Sequence, residues 1–291
     1  MKKVIILVII MICATSTIVS AKTTTTLLAA SRYLSSQLVN VQTPITVEFK
    51  TDKRYTCEYV YKKTVPIVAK LDDDVSKIYL ADYTSRELMS RIRSNVSAKI
   101  KNGEYIYTIK IKPKYLRSAA AEKKFRNALK REEKKLKLTN KSRIKKLRAI
   151  HDFVVKRIKY TTKYNNGYNA YFKKKSACVG YSRLFYLMCR DVGIPCRIVY
   201  SSVHVWNIVK VNNRWYHVDT TWDDEPITYK YFLRASITGK DHKLSKEFTT
   251  AEWKKRHPMA KKNYFSARWY IRIGKNNYSN YRAASFSFCG V

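Results

Sequence analysis

Three residues have side chains that can do acyl chemistry together: Cys178, His204 and Asp219. Cys178 opens the run Ala177-Cys178-Val179-Gly180-Tyr181-Ser182. After it Leu184, Phe185, Leu187, Met188 and Val192 recur three or four apart, the spacing of a helix with a buried face. Gly193 suits a left-handed helix end and Pro195 forbids continuation, so the thiol stands at the helix N-terminus. Such a terminus carries about half a positive charge and unpaired N–H groups, which favour thiolate and can hold a developing oxyanion. Cys189 and Cys196 lack that position.

The other two residues belong to strands. CRIVYSS (196–202), HVWNIVKV (204–211) and RWYHVDTTW (214–222) read as strands, with Asn212-Asn213 as a two-residue hairpin loop. If those residues form the turn, Val211 faces Arg214 and His204 lies opposite Thr221. His204 and Asp219 then share a face as diagonal neighbours, about 7–8 Å apart at the backbone and bridgeable by an imidazole. A Cys helix packed on that face completes a Cys-His-Asp set, in which His takes the thiol proton and Asp fixes the useful tautomer.

The rival base is His217, on the same expected face as Asp219 but nearer mid-strand, where neighbouring side chains exclude a substrate. His151 is expected to pack or face solvent, and His242 and His257 to lie outside the constellation. Ligand type alone also allows zinc on Cys178, Cys189, Cys196 and His204, but the close Cys pair of structural zinc sites is missing. No metal is expected.

Stepping outward, three regions position these groups. Residues 22–110 contain alternating stretches at 45–49, 55–61 and 104–111, read as strands. A helix is expected near 84–98, and Lys101-Asn102-Gly103 supplies a turn. This is a small α+β N-terminal module. Residues 111–140 form a basic helical connector, with the helix over 115–137, and 141–291 the catalytic domain. The stripe Ile144, Leu147, Ile150, Val154 and Ile158 marks a helix over 142–158 that faces a core.

Composition narrows the class. The chain has 291 residues, 45% apolar, with 7 Gly and 6 Pro and no visible repeat, which excludes collagen-like and multi-span membrane architectures. Lys2 and Lys3, the apolar run Val4 to Ile12 and the small residues Val19-Ser20-Ala21 read as a signal peptide over 1–21. The apolar run falls short of the ~20 residues of a spanning helix. An exported protein with no membrane span after cleavage is expected, extracellular and held at the cell wall.

The formal charge is +38, and 19 basic residues crowd the stretch from Lys112 to Lys159. A field of that sign attracts anionic surface polymers. No recognised nucleic-acid motif accompanies it, so no specific nucleic-acid partner is expected. Cleavage would leave five cysteines, Cys57, Cys178, Cys189, Cys196 and Cys289. The odd number leaves at least one thiol unpaired or bonded between chains. Cys189 with Cys196 and Cys57 with Cys289 are one pairing; all four reduced and buried is the other reading.

The succession ACVGYSRLFYLMCRDVGIPCRIVYS, then HVWN, then RWYHVDTTWDD closely resembles the transglutaminase-like superfamily of thiol enzymes, in its secreted bacterial form. SRIKKLRAIHDFVVKRIKYTTKY upstream and YFLRASITGKDHKLS downstream are similar to that group's flanking segments, so the likeness covers roughly 140–250. The resemblance implies a papain-like α+β fold, an active-site helix on an antiparallel sheet, and no cofactor. It implies Cys178 as nucleophile, His204 as general base and Asp219 as orienting carboxylate. Some relatives need calcium; the acidic run Asp223-Asp224-Glu225 offers too few ligands for a site here.

The implied activity is acyl transfer on protein or peptide amides, cell-wall peptides included, through a thioester. Water as acceptor makes the enzyme a cysteine peptidase or amidase, and an amine makes it a crosslinking acyltransferase. The second oxyanion donor falls to Tyr171 or Asn169, and Trp206 and Trp222 flank the set in sequence. The alternative function is a non-catalytic wall- or polyanion-binding protein that keeps the fold and works through its basic 112–159 face.

Overall fold

The alternation at 45–49 and 104–111 becomes two adjacent strands. In the computed structural model, which describes residues 21–39, 41–70, 92–115, 117–224, 226–267 and 269, β1 (Lys22–Thr24), β2 (Ile45–Thr51), β3 (Ile92–Lys101) and β4 (Glu104–Pro113) form a sheet of order β1-β2-β4-β3. The leader expected over 1–21, apart from its last residue, lies outside the described residues, as do Cys289 and the 84–91 part of the expected helix. Lys101 pairs with Glu104 across Asn102 and Gly103, both at positive φ. Such a turn matches the twist of its strands. Alternate residues Ile45, Val47 and Phe49 turn inward with Tyr107, Ile109 and Ile111, against Ala30, Leu34 and Leu38 of α1 (Leu27–Val39).

Two expectations in this module are corrected. YTCEYVY (55–61) is mostly helical, because α2 runs Cys57–Lys70. Thr56 Oγ1 accepts the Tyr59 N–H at 3.1 Å and Thr56 C=O accepts the Val60 N–H, an N-cap that outweighs the period-two pattern. Residues 92–98, expected as helix, are strand, paired residue by residue with β4.

The second core gathers the remaining elements. Helix α3 (Ala119–Lys135) sends Phe125, Ala128 and Leu129 into it, so the basic helix expected as a connector is itself packed. Helix α4 (Arg143–Arg157) adds Leu147, Ile150 and Val154. Its end continues into β5 (Lys159–Tyr160), which pairs in parallel with β6 (Lys175–Ser176) around the short α5 (Gly167–Phe172). Helix α6 (Cys178–Asp191) follows at once.

Helix α6 ends where Gly193 takes φ +76°. Ile194 N–H bonds Cys189 C=O and Gly193 N–H bonds Arg190 C=O, the double closure of a glycine-terminated helix. Then β7 (Cys196–Tyr200), β8 (Val205–Val211), β9 (Arg214–Val218) and β10 (Phe232–Arg234) make an antiparallel sheet of order β10-β9-β8-β7. Helix α7 (Ala251–Arg256) caps a satellite cluster of Trp206, Trp215, Phe248 and Trp253. The architecture is mixed α+β, seven helices among the described residues, with one helix packed on an antiparallel sheet and a smaller α+β module before it. Among the described residues no helix is long and apolar enough to cross a membrane.

Candidate functional site

Cys178 is the first helical residue of α6, after Ala177 in extended conformation. Two contacts fix that start. Asn165 Oδ1 accepts the Val179 N–H at 3.1 Å, serving as the cap that Ala177 cannot provide. Gly180 sits against β6 so closely that a Cβ there would lie 2.1 Å from Ser176 Oγ and 3.0 Å from Ala170 Cβ. The glycine of CVGYS is thus what lets the thiol-bearing turn approach the preceding strand.

The hairpin register follows the sequence arithmetic. Val211 pairs with Arg214 and Asn207 with Val218, and Asn212 and Asn213 both take positive φ. His204 lies just before β8 and Asp219 just after β9. The sheet is tied to the helix by Ser182 Oγ donating to Val205 C=O at 2.8 Å and by buried Asn207 Nδ2 donating to Ser182 C=O at 3.1 Å. The N of HVWN is therefore a brace between β8 and α6.

These braces bring three side chains together. His204 Nε2 lies 2.7 Å from Asp219 Oδ2, and Cys178 is near enough to the ring to raise its pKa. With Nε2 facing the carboxylate, Nδ1 is the nitrogen left for sulfur. Burial draws His204 toward its neutral form, but Asp219 and Cys178 more than offset it and push its pKa up to about 9. Burial likewise opposes ionisation of Asp219, and the two imidazoles bonded to it hold its carboxyl below the ordinary range. Asp219 is fully buried, with Oδ1 accepting the N–H groups of Thr221 (2.9 Å) and Trp222 (3.2 Å).

The second imidazole is His242, expected from the sequence to lie outside the constellation. The structure corrects this: His242 Nε2 lies 2.8 Å from Asp219 Oδ2, the same oxygen that His204 uses. A 3-10 turn over Lys240–His242 delivers it, and Trp206, Trp222, Tyr231 and His204 box its ring with centroids 4.7–5.7 Å away. No periodic pattern announces it, since five residues of irregular chain separate its 3-10 turn from β10.

The other histidines are accounted for. Trp206 Nε1 donates to His217 Nδ1 at 3.0 Å, and burial, with repulsion from His242, lowers His217 to about 4, so it stays neutral. His151, expected to pack or face solvent, is wholly buried, with Nδ1 3.2 Å from Asp152 and Nε2 3.1 Å from Asp223. Since Thr228 Oγ1 and Tyr231 N–H also bond Asp223, this network anchors the 219–231 loop that carries Asp219. His257 stacks on Trp253, away from the set.

Tyr171 is not free to serve as an oxyanion donor, because its hydroxyl donates to Glu132 at 3.0 Å. Asn165 is the upstream amide that reaches the start of α6.

As to metals, His204, Asp219 and His242 offer ligand atoms within 4.8 Å of one another. Each imidazole is already at hydrogen-bond distance from the carboxylate, 2.7 and 2.8 Å. Both imidazoles therefore meet one carboxylate oxygen at hydrogen-bond distance, and a proton can be shared across the group. The zinc set of Cys178, Cys189, Cys196 and His204 does not form: Cys189 is eleven residues along α6, about 16 Å from Cys178. Cys189 and Cys196 are both reduced and buried, so the Cys189–Cys196 disulfide expected as one pairing is not formed.

Residues 132–220 match the family model of the transglutaminase-like superfamily. Cys178, His204 and Asp219 fall inside that span and His242 outside it. A solved structure described as a crystal structure of a TGase is similar with a TM-score of 0.34 at 13% identity, covering 62% of this chain and 52% of that one. The chain thus spans about half the length of that structure. No curated protein matches the chain.

Proposed function

We propose that the chain is an exported thiol enzyme that transfers acyl groups from protein or peptide carboxamides, with Cys178 as nucleophile, His204 as general acid and base, and Asp219 as orienting carboxylate. The observation that carries this reading is the placement of His204 between a helix-start thiol and a buried, fully bonded carboxylate. A transglutaminase-like region over 132–220 supports it.

In the reaction, Cys178 sulfur adds to the carboxamide carbon and the oxygen takes the negative charge. The Cys178 N–H is a donor for that oxygen, and Asn165, whose Oδ1 is taken by the Val179 N–H, has its Nδ2 group as the second. His204, protonated at neutral pH, gives its proton to the departing ammonia or amine as the C–N bond breaks, leaving a thioester. It then takes a proton from water or an incoming amine, the C–S bond breaks, and the thiolate returns. Water gives hydrolysis; an amine gives a new amide.

The test is incubation of the protein with a glutamine-containing protein and a tagged primary amine, followed by mass spectrometry, with Cys178→Ala as control. Ammonia release or tag incorporation that requires Cys178 supports the proposal. If both are absent, it fails.

A second reading, binding of anionic polymers, draws on α3. Lys123, Lys124, Lys130, Arg131, Lys134 and Lys135 are exposed, whereas Glu122 is buried and Glu132 and Glu133 are partly so. Salt-sensitive binding to an anionic polymer, unchanged in Cys178→Ala, is its signature.

A further inference from the structure

The ribbon that delivers Cys178 carries charge of one sign. Between Phe153 and Arg190 the sequence has no Asp or Glu, yet Lys159, Lys163, Lys173, Lys174 and Lys175 all fall within it. The fold gathers them. Lys159 pairs with Lys175 across β5 and β6, and its N–H bonds Lys174 C=O at 2.9 Å. The Lys173 ammonium donates to the Tyr164 hydroxyl at 3.2 Å, and the ammoniums of Lys173 and Lys163 lie 4.5 and 5.9 Å from that ring's centre. The Tyr164 phenol is lowered first by Lys173, with Lys163 and Lys175 adding to it, as a local positive field requires. All five lysines are exposed, and no carboxylate of the described residues pairs with them.

This field lies beside the thiol. Lys175 is three residues before Cys178, about 10 Å of extended chain, and Tyr160 of the same ribbon is close enough for its hydroxyl to sense the Cys178 charge. On the histidine side the surface is apolar instead: Trp222 is 43% exposed with its ring 5.9 Å from that of His204, and Val203 is 69% exposed. A carboxamide at the thiol would therefore have cations on one flank and apolar surface on the other.

We infer that the Lys159–Lys175 ribbon docks the substrate, and that this substrate is an acidic peptide: carboxylates on one side of the reacting amide lie along the lysines, while an apolar residue on the other side meets Trp222 and Val203. This rests on the proposed acyl chemistry and names its substrate class. A peptide fits better than a polyphosphate-type polymer because the ribbon leads to a thiol that needs a carbonyl, and a polymer without one would only occupy the lysines.

The test uses the full chain and three glutamine peptides that differ only in flanking residues: glutamate, serine or lysine. The expected kcat/KM for the glutamate flank is about 10-fold above serine at low ionic strength, converging in high salt as exposed pairs are screened. Charge reversal, Lys173→Glu with Lys175→Glu, should turn the preference toward the lysine flank. Equal rates for the three peptides, or a preference that the reversed variant keeps, overturn the inference. So does competition by polyphosphate, lost in the reversed variant, without any glutamate preference. Alkylation of Cys178 by uncharged iodoacetamide separates the two claims: a reactive thiol with no flank preference removes only the docking surface, and an unreactive thiol removes the acyl chemistry beneath it.

Discussion

Removing His242 probes the link between fold and chemistry most informatively. His242→Ala takes away one of four donors on Asp219, leaving the N–H groups of Thr221 and Trp222 on Oδ1 and His204 on Oδ2. A hydrogen bond to a buried ion contributes about 1.5–3 kcal/mol. If that energy fixes the carboxylate that in turn fixes His204, its loss lowers kcat by about 10–100-fold at ~1.4 kcal/mol per decade, with KM little changed. The sign of the pH effect is distinctive. His204 gives up its proton near pH 9 because Asp219 and Cys178 hold it against burial. With one imidazole gone from Oδ2, Asp219 holds the His204 proton more tightly, so the alkaline limb of the rate profile moves upward. His242→Gln restores a donor and should recover much of kcat. The assay is steady-state ammonia release against pH, with circular dichroism to verify folding. A folded His242→Ala protein with unchanged kcat and an unmoved limb would show that His242 merely fills its aromatic box.

Other substitutions read the same frame. Asp219→Asn removes the carboxylate that raises His204, so the alkaline limb should fall from about 9 while kcat drops on the order of 10⁴-fold; an unmoved limb contradicts the pairing. Gly180→Ala forces a Cβ to within 2.1 Å of Ser176 Oγ, itself held by Tyr164 C=O, and should destabilise the protein by about 1–3 kcal/mol, read as a lower Tm. A Tm equal to that of the parent would mean that β6 yields freely. Asn165→Ala should lower kcat by about 10²-fold if its amide meets the oxyanion, and Asn165→Ser, which can still cap the helix, should restore stability without restoring rate.

Much of the candidate site was legible because its geometry follows local rules. Cys178 is placed by a helix start that Gly193 and Pro195 bound from the far end, and His204 meets Asp219 because Asn212-Asn213 sets the hairpin register. What stayed hidden depends on tertiary contacts. His242 arrives from an irregular segment and is recognisable only by the aromatic box that receives it. His151 looked like one more residue of an amphipathic helix, yet it is clamped between Asp152 and a carboxylate 72 residues away in sequence. In the N-terminal module, the period-two pattern over 55–61 misled, and the Thr56 cap starts a helix there. Residues 92–98 alternate Ile92, Ser94, Val96 and Ala98 on one face, a strand signal obscured by the helix-like residues before it.

The most direct measurement is the alkylation rate of each cysteine by iodoacetamide, resolved by mass spectrometry, in the parent and in His204→Ala. Cys178 should react well ahead of a model thiol at neutral pH, and of buried Cys189 and Cys196, and should lose that advantage when the imidazole is removed. A Cys178 that reacts no faster than a free thiol, or equally fast with and without His204, would contradict the account at its centre.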